Sequence, residues 1–216
     1  MSEFVIHGVP GSPFMRAVCM AMEEKGAPYR VQAMGPGDSR NPEHLRRHPF
    51  GRIPAIEHGD FQLYETQAIV RYIDAVFPGP SLQPTDPRAA ARMNQIIGVN
   101  DWYLFPQVIA VIVFQRLVGP ILMGLQPNEE AIAAAVPNAQ RCIGELNRLL
   151  GDSTFLAGET LSLADIILAA QLAYLPATPE GAIILKGTKL EAWLNRMIAR
   201  PSMQATLPPE ALRAAA

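Results

Sequence analysis

The spacing of apolar positions changes character near residue 78. Before that point short segments of two periods alternate. Phe4-Val5-Ile6 is an apolar strand that runs into the turn-rich stretch Gly8-Val9-Pro10-Gly11. Ser12-Pro13 then opens a helix, with Ser as a favoured cap and Pro at the first helical position. Phe14, Ala17, Val18, Ala21 and Met22 follow at helical spacing, and Gly26 ends the run. Residues 29–34 read as a second strand and 42–47 as a short helical turn. Two further strands, 53–56 and 61–64, flank His58-Gly59-Asp60, a hairpin signal. Residues 65–77 form an amphipathic helix with Ile69, Tyr72, Ile73 and Val76 on one face. The order βαβ, hairpin, helix predicts a parallel pair joined by a right-handed crossover, extended by antiparallel strands.

Residues 78–87 carry four prolines and read as a linker. Beyond it the pattern is helical throughout, with candidates at 88–105, 108–117, 129–150, 162–175 and 190–200. Ser162-Leu163-Ala164-Asp165 is a capping box, and Leu161 before it suits the hydrophobic staple. The expected organisation is an α/β domain at 1–77, the linker 78–87, and an all-α domain at 88–216.

Composition adds a surplus of apolar material. The 216 residues are 49% hydrophobic and 18% charged, against a typical charged share of about 25%. This excludes a disordered chain, and it predicts apolar surface beyond the core: a dimer face along 65–77 and 88–105, and a pocket for a hydrophobic ligand. The net charge of −2 gives no global attraction for nucleic acid or an anionic membrane. No apolar run approaches the roughly 18 residues of a spanning helix. Cys19 and Cys142 stand far apart in no metal or redox motif, so a reducing compartment is expected. Met1-Ser2-Glu3-Phe4 lacks the start of a secretory signal, and a cytoplasmic location follows. His44 and His48 have metal-ligand spacing but no third ligand nearby, so no metal is expected.

One stretch carries more information than composition does. It runs Asn41-Pro42-Glu43-His44-Leu45-Arg46-Arg47-His48-Pro49-Phe50-Gly51-Arg52-Ile53-Pro54-Ala55-Ile56-Glu57, and continues through Gly59-Asp60 to Leu63-Tyr64-Glu65-Thr66-Gln67-Ala68-Ile69. With Ser12-Pro13-Phe14-Met15-Arg16, with Phe155-Leu156-Ala157-Gly158-Glu159-Thr160-Leu161-Ser162-Leu163-Ala164-Asp165 and with Arg200-Pro201-Ser202, it resembles the cytosolic glutathione transferases. Within them it is most similar to the phi-like and related bacterial serine-type classes. The resemblance implies a thioredoxin-like first domain that binds glutathione, and a helical domain that contributes the pocket for a hydrophobic substrate.

It also implies roles for residues. Pro54 takes the place of a cis-proline that turns the Ile53 backbone toward the cysteinyl main chain of glutathione, as an added strand would. Glu65 meets the ligand's ammonium and Thr66 its γ-glutamyl carboxylate, at a helix N-terminus suited to anions. Arg40 and Arg52 fall near the glycyl carboxylate, where guanidinium groups suit an anion; Ser39 stands where phi enzymes usually have His. Arg46 and Arg47 read as solvated surface charges. Ser12 is the catalytic candidate: a hydroxyl donating to sulfur at the positive end of a helix favours the thiolate, against a free thiol pKa of about 8.5. Three alternatives stay open. Alignment on Arg16 places the family's serine at Gly11, so the hydroxyl is displaced by one, or the Gly11 and Ser12 amides act instead, or the site is catalytically weak. Phe14 and Tyr103 are candidates for the substrate pocket.

The activity implied is attack of the glutathione thiolate on small hydrophobic electrophiles by a homodimer, with glutathione as co-substrate and no metal. Glutathione-dependent isomerisation, dehalogenation or peroxide reduction on the same site is an alternative, and so is a non-catalytic glutathione-binding or scaffold protein.

Overall fold

The computed structural model describes residues 2–35, 37–208 and 210, in two units. The first runs up to Gln83 and takes in Arg200–Pro208; the second is Pro84–Ala199.

In the first unit the elements are β1 (Phe4–Gly8), α1 (Pro13–Lys25), β2 (Arg30–Ala33), α2 (Pro42–Arg47), β3 (Ala55–His58), β4 (Phe61–Tyr64) and α3 (Thr66–Val76). The sheet order is β2-β1-β3-β4, with β1 and β2 parallel and the other pairs antiparallel. This is a mixed, thioredoxin-like sheet. Pairing of β3 begins at Ala55, two residues later than the apolar pattern suggests. Pro54 has no N–H to give to a ladder, so it stands just before the strand. His58 pairs with Phe61, which leaves Gly59-Asp60 as a two-residue hairpin loop. Helices α1 and α3 pack on one another, and Ile6, Val18, Met22, Ile56, Ile69 and Ile73 are fully buried. Val76, expected on the apolar face of α3, is exposed, and Val70 is buried in its stead.

Two polar anchors finish this unit. Lys25 Nζ donates to Asp74 Oδ1 at 3.1 Å and to the Pro80 carbonyl at 2.9 Å. Asp74 also accepts from the Leu82 amide and Gln83 Nε2, so a buried ion pair pins the proline-rich stretch. The Arg200–Pro208 segment, which the sequence pattern leaves with the helical domain, belongs here. Arg200 forms a two-pronged pair with Glu24 at 2.9 and 2.8 Å. Arg16, itself buried, donates from Nε to the Thr206 carbonyl at 2.8 Å.

The second unit is helical: α4 (Pro87–Val99), a wide-turned stretch (Asn100–Val118), α5 (Gly119–Met123), α6 (Glu129–Leu150), α7 (Leu163–Leu172), α8 (Pro179–Leu185) and α9 (Lys189–Ile198). The expected break between 105 and 108 is absent: the chain is helical without interruption over Pro87–Met123. Pro106 has no N–H for the carbonyl four residues back, Trp102 O. The wider i→i+5 turns accommodate the proline, and Gln107 Nε2 reaches back to Trp102 O at 3.4 Å. This 37-residue run is long and apolar enough to cross a membrane by length and composition alone, contrary to the expectation from the sequence. Many of its apolar side chains, among them Met93, Ile96, Leu104, Val108, Ile112 and Leu117, are buried within the unit. It packs there against α6 and α7.

The capping box forms as the sequence predicts, and it does more than cap α7. Asp165 is fully buried. It accepts from the Leu156 amide at 2.8 Å, the Ser162 amide at 2.9 Å, Ser162 Oγ at 2.7 Å and Trp193 Nε1 at 3.0 Å. Burial pushes its carboxyl above the ordinary value while the four donors pull the other way. One side chain therefore joins α7, α9 and the loop before α7. In Asp165→Ala four buried donors lose their acceptor, at about 1–3 kcal/mol each. Urea unfolding should show a loss of at least about 3 kcal/mol; a loss below about 1 kcal/mol contradicts this role.

Candidate functional site

Strand register decides which loops meet. His7 pairs with Ala55, and Ala55 pairs with Tyr64 on its other side. The chain beyond each of these residues therefore emerges at one end of the sheet: Gly8–Ser12 after β1, Ile53–Pro54 before β3, and Glu65–Thr66 after β4. Helices α1 and α3 both begin there, so the positive ends of two helix dipoles share this edge.

Ser12 occupies the N-cap position of α1, yet its side chain makes no capping hydrogen bond. Its amide donates to the Val9 carbonyl at 3.0 Å. The amide is thus engaged in the turn. Gly11 has φ +88°, a region in which a serine is strained.

The Ile53–Pro54 peptide is cis. Glu65 has φ +73°, the only non-glycine with positive φ among the described residues. Its backbone conformation costs of order 1–3 kcal/mol. No side chain caps α3. Thr66 is buried at the first helical position, while the Glu65 carboxylate projects into solvent, 65% exposed.

Arg40 lies against Gly51, the residue before Arg52: a Cβ at that glycine would lie 3.2 Å from Arg40 Cδ. Both side chains are exposed on the α2 side of the edge. His44, buried on α2, bonds through Nε2 to the Arg52 carbonyl at 2.7 Å and so fixes the loop entering β3. Arg47, read from sequence as a solvated charge, instead clamps α2 to the sheet: it donates to Glu57 at 2.8 Å and Glu43 at 2.7 Å. Glu57 also accepts from Gln62 and lies 2.9 Å from His7 Nε2. Burial opposes ionisation of Glu57, but Arg47 and His7 hold its carboxyl below the usual range. Burial likewise keeps His7 and His48 below the ordinary imidazole value.

Phe14 lies on the first turn of α1, half-buried, in the first unit. Tyr103 lies on the wide-turned stretch of the second unit, 55% exposed. Sequence reasoning missed two features of this edge, the Arg47 clamp and the approach of His48 Nε2 to Glu65 Oε1 at 3.9 Å. The spacing of Glu43 and Arg47 signals an i,i+4 pair; nothing local signals Glu57 or Glu65.

Residues 6–81 match the family model for the glutathione S-transferase N-terminal domain, and residues 129–196 that for the C-terminal domain. Glutathione S-transferase 4 of Zea mays is 31% identical, with 91% of this chain and 88% of that protein covered. The chain belongs to the glutathione S-transferase family. Among solved structures, glutathione transferase F7 of Populus trichocarpa superposes with a TM-score of 0.86 at 29% identity, covering 94% of this chain and 97% of that one. Maize glutathione S-transferase I, solved with an atrazine glutathione conjugate, gives a TM-score of 0.83 at 27% identity, with 95% and 96% covered. The family resemblance read from the sequence, and the two-domain fold that it implied, are therefore those of this chain.

Its own sulfur is withdrawn from chemistry. Cys19 and Cys142 are free and buried. Burial pushes the Cys19 thiol up to about 12 and raises Cys142 as well. A nucleophilic sulfur at this site must arrive with the ligand. An aromatic disulfide reagent at mildly alkaline pH should leave both thiols of the native protein unlabelled for minutes, and titrate two per chain after unfolding. Fast labelling of the native chain contradicts this.

Proposed function

We propose that this glutathione S-transferase conjugates the glutathione thiolate to small hydrophobic electrophiles at the sheet edge described above. The observation that carries the proposal is the convergence, at that edge, of two uncapped helix starts. One bears the Ser12 hydroxyl and the other the buried Thr66 with Glu65.

Glutathione supplies one group for each feature. The γ-glutamyl carboxylate sits on the α3 N-terminus with the Thr66 hydroxyl, where oriented amides favour an anion. The Glu65 carboxylate takes the neighbouring ammonium. The Ile53 main chain beside cis-Pro54 pairs with the cysteinyl backbone in the manner of an added strand, and Arg40 and Arg52 hold the glycyl carboxylate. The sulfur then lies over the start of α1. There the Ser12 hydroxyl donates to it, and the thiol proton leaves to solvent. The thiolate attacks the electrophilic carbon, a carbon–sulfur bond forms, and the leaving group departs with its electron pair. Phe14, on the first turn of α1, supplies aromatic surface for the electrophile.

We take the working form to be a cytoplasmic homodimer with a detoxifying role. The free cysteines and the exposed apolar side chains Phe61, Val76 and Trp102 support that reading.

The mechanism is tested by thiolate absorbance of bound glutathione as a function of pH. A depression of about two pKa units requires about 2.7 kcal/mol of preference for the anion. Ser12→Ala should remove about half of that depression or more; an unchanged titration contradicts the hydroxyl's role. A second variant separates binding from stability. Glu65→Gly relieves the positive-φ strain and removes the ammonium's partner, a charge-assisted bond worth about 1.5–3 kcal/mol. It should unfold no earlier than the parent protein and bind glutathione roughly 10- to 100-fold more weakly. Retained affinity contradicts the assignment.

A further inference from the structure

His48 caps the C-terminal end of α2 and is only 2% exposed. Its ring lies against Tyr64, centroids 4.7 Å apart, with Phe50 edge-on at 6.3 Å. Nδ1 is buried without a hydrogen-bond partner. Nε2 faces Glu65 Oε1 at 3.9 Å. That distance is too long for a hydrogen bond, yet close enough for charges to act on one another. Glu65 stands at the start of α3 with φ +73°. The Nε2 of an almost fully buried imidazole thus looks onto the carboxylate assigned to the ligand's ammonium.

We infer that His48 positions the Glu65 carboxylate and sets the pH range in which that carboxylate accepts a primary ammonium group. The inference rests on the proposed reading of Glu65. Neutral, the ring bounds the carboxylate on one side and leaves its charge to the ligand. Protonated, it becomes a built-in cation that competes with the ligand for the same oxygen. The groups facing it from the neighbouring elements are Glu65 from the start of α3, His44 from α2, Arg52 from the loop before β3, and Tyr64 from β4. Burial, the strongest influence, opposes its protonation, and Glu65 favours it; His44 and Arg52 add to the opposition. The ring is therefore neutral near pH 7 and charges on the acid side of its ordinary value. Because proton and ammonium draw on one carboxylate, each must weaken the other by the same factor.

S-methylglutathione is the appropriate probe, since it keeps the ammonium and both carboxylates but has no thiol to titrate. Calorimetric affinity should fall about two- to fivefold between about pH 7.5 and pH 5, the scale of a partly solvated ion pair. In His48→Asn the fall should vanish. The wild-type protein offers a test independent of any variant: the His48 ring proton resonances, followed by NMR, should titrate at lower pH when S-methylglutathione saturates the site. An unmoved His48 midpoint overturns the inference, as does an acid-side loss of affinity that persists in His48→Asn. These two outcomes leave the Glu65 assignment standing. No binding of S-methylglutathione at any pH overturns that assignment and this inference together.

Discussion

The site depends on one register. His7, Ala55 and Tyr64 stand abreast across β1, β3 and β4, and only with that alignment do the starts of α1 and α3 meet Ile53–Pro54 at one edge. A slip of one residue in β3 would turn Ile56, which is fully buried, to the opposite face and would move Pro54 off the edge. The core therefore enforces the site. The apolar burial that fixes the alternation of β3 also fixes where two helix N-termini deliver their amides, and the chemistry at the edge inherits its geometry from packing.

Rigidity at this edge is assembled from α2 as well as from the sheet. Arg47 ties α2 to β3 through Glu57, and His44 holds the Arg52 carbonyl. The loop entering β3 is thus braced from both sides. Against that frame the strain at Glu65 is sustained locally. The reward is an exposed carboxylate directly before an uncapped helix start, with a buried hydroxyl next to it. A relaxed backbone at that position would aim the carboxylate elsewhere.

How much of this was legible depended on whether the governing physics is local. The α1 start at Pro13, the hairpin around Gly59-Asp60 and the Ser162–Asp165 box follow from first-turn proline, turn and capping-box rules that act over a few residues, and the structure has all three, although Ser12 makes no capping bond. The residues of the edge could be named because a motif resemblance carried them, not because spacing revealed their roles. What stayed hidden is tertiary. Nothing near Lys25 announces Asp74 or the Pro80 carbonyl, and nothing near Arg16 announces the Thr206 carbonyl. The uninterrupted helix through Pro106 was missed for a related reason. The rule against proline assumes four-residue hydrogen bonding, and the packing of this stretch against α6 accompanies wider turns that the rule does not cover. The positive φ of Gly11 is likewise a property of the folded turn.

The central claim is that the helix starts at Ser12 and Thr66 hold the two ends of one thiol-bearing peptide. A crystal structure with glutathione bound tests it most directly. The account predicts the sulfur within about 3.5 Å of Ser12 Oγ, the γ-glutamyl carboxylate on the first amides of α3 beside Thr66, and the ammonium against Glu65. A sulfur turned away from Ser12, or a γ-glutamyl group bound anywhere but at Glu65 and Thr66, would contradict it.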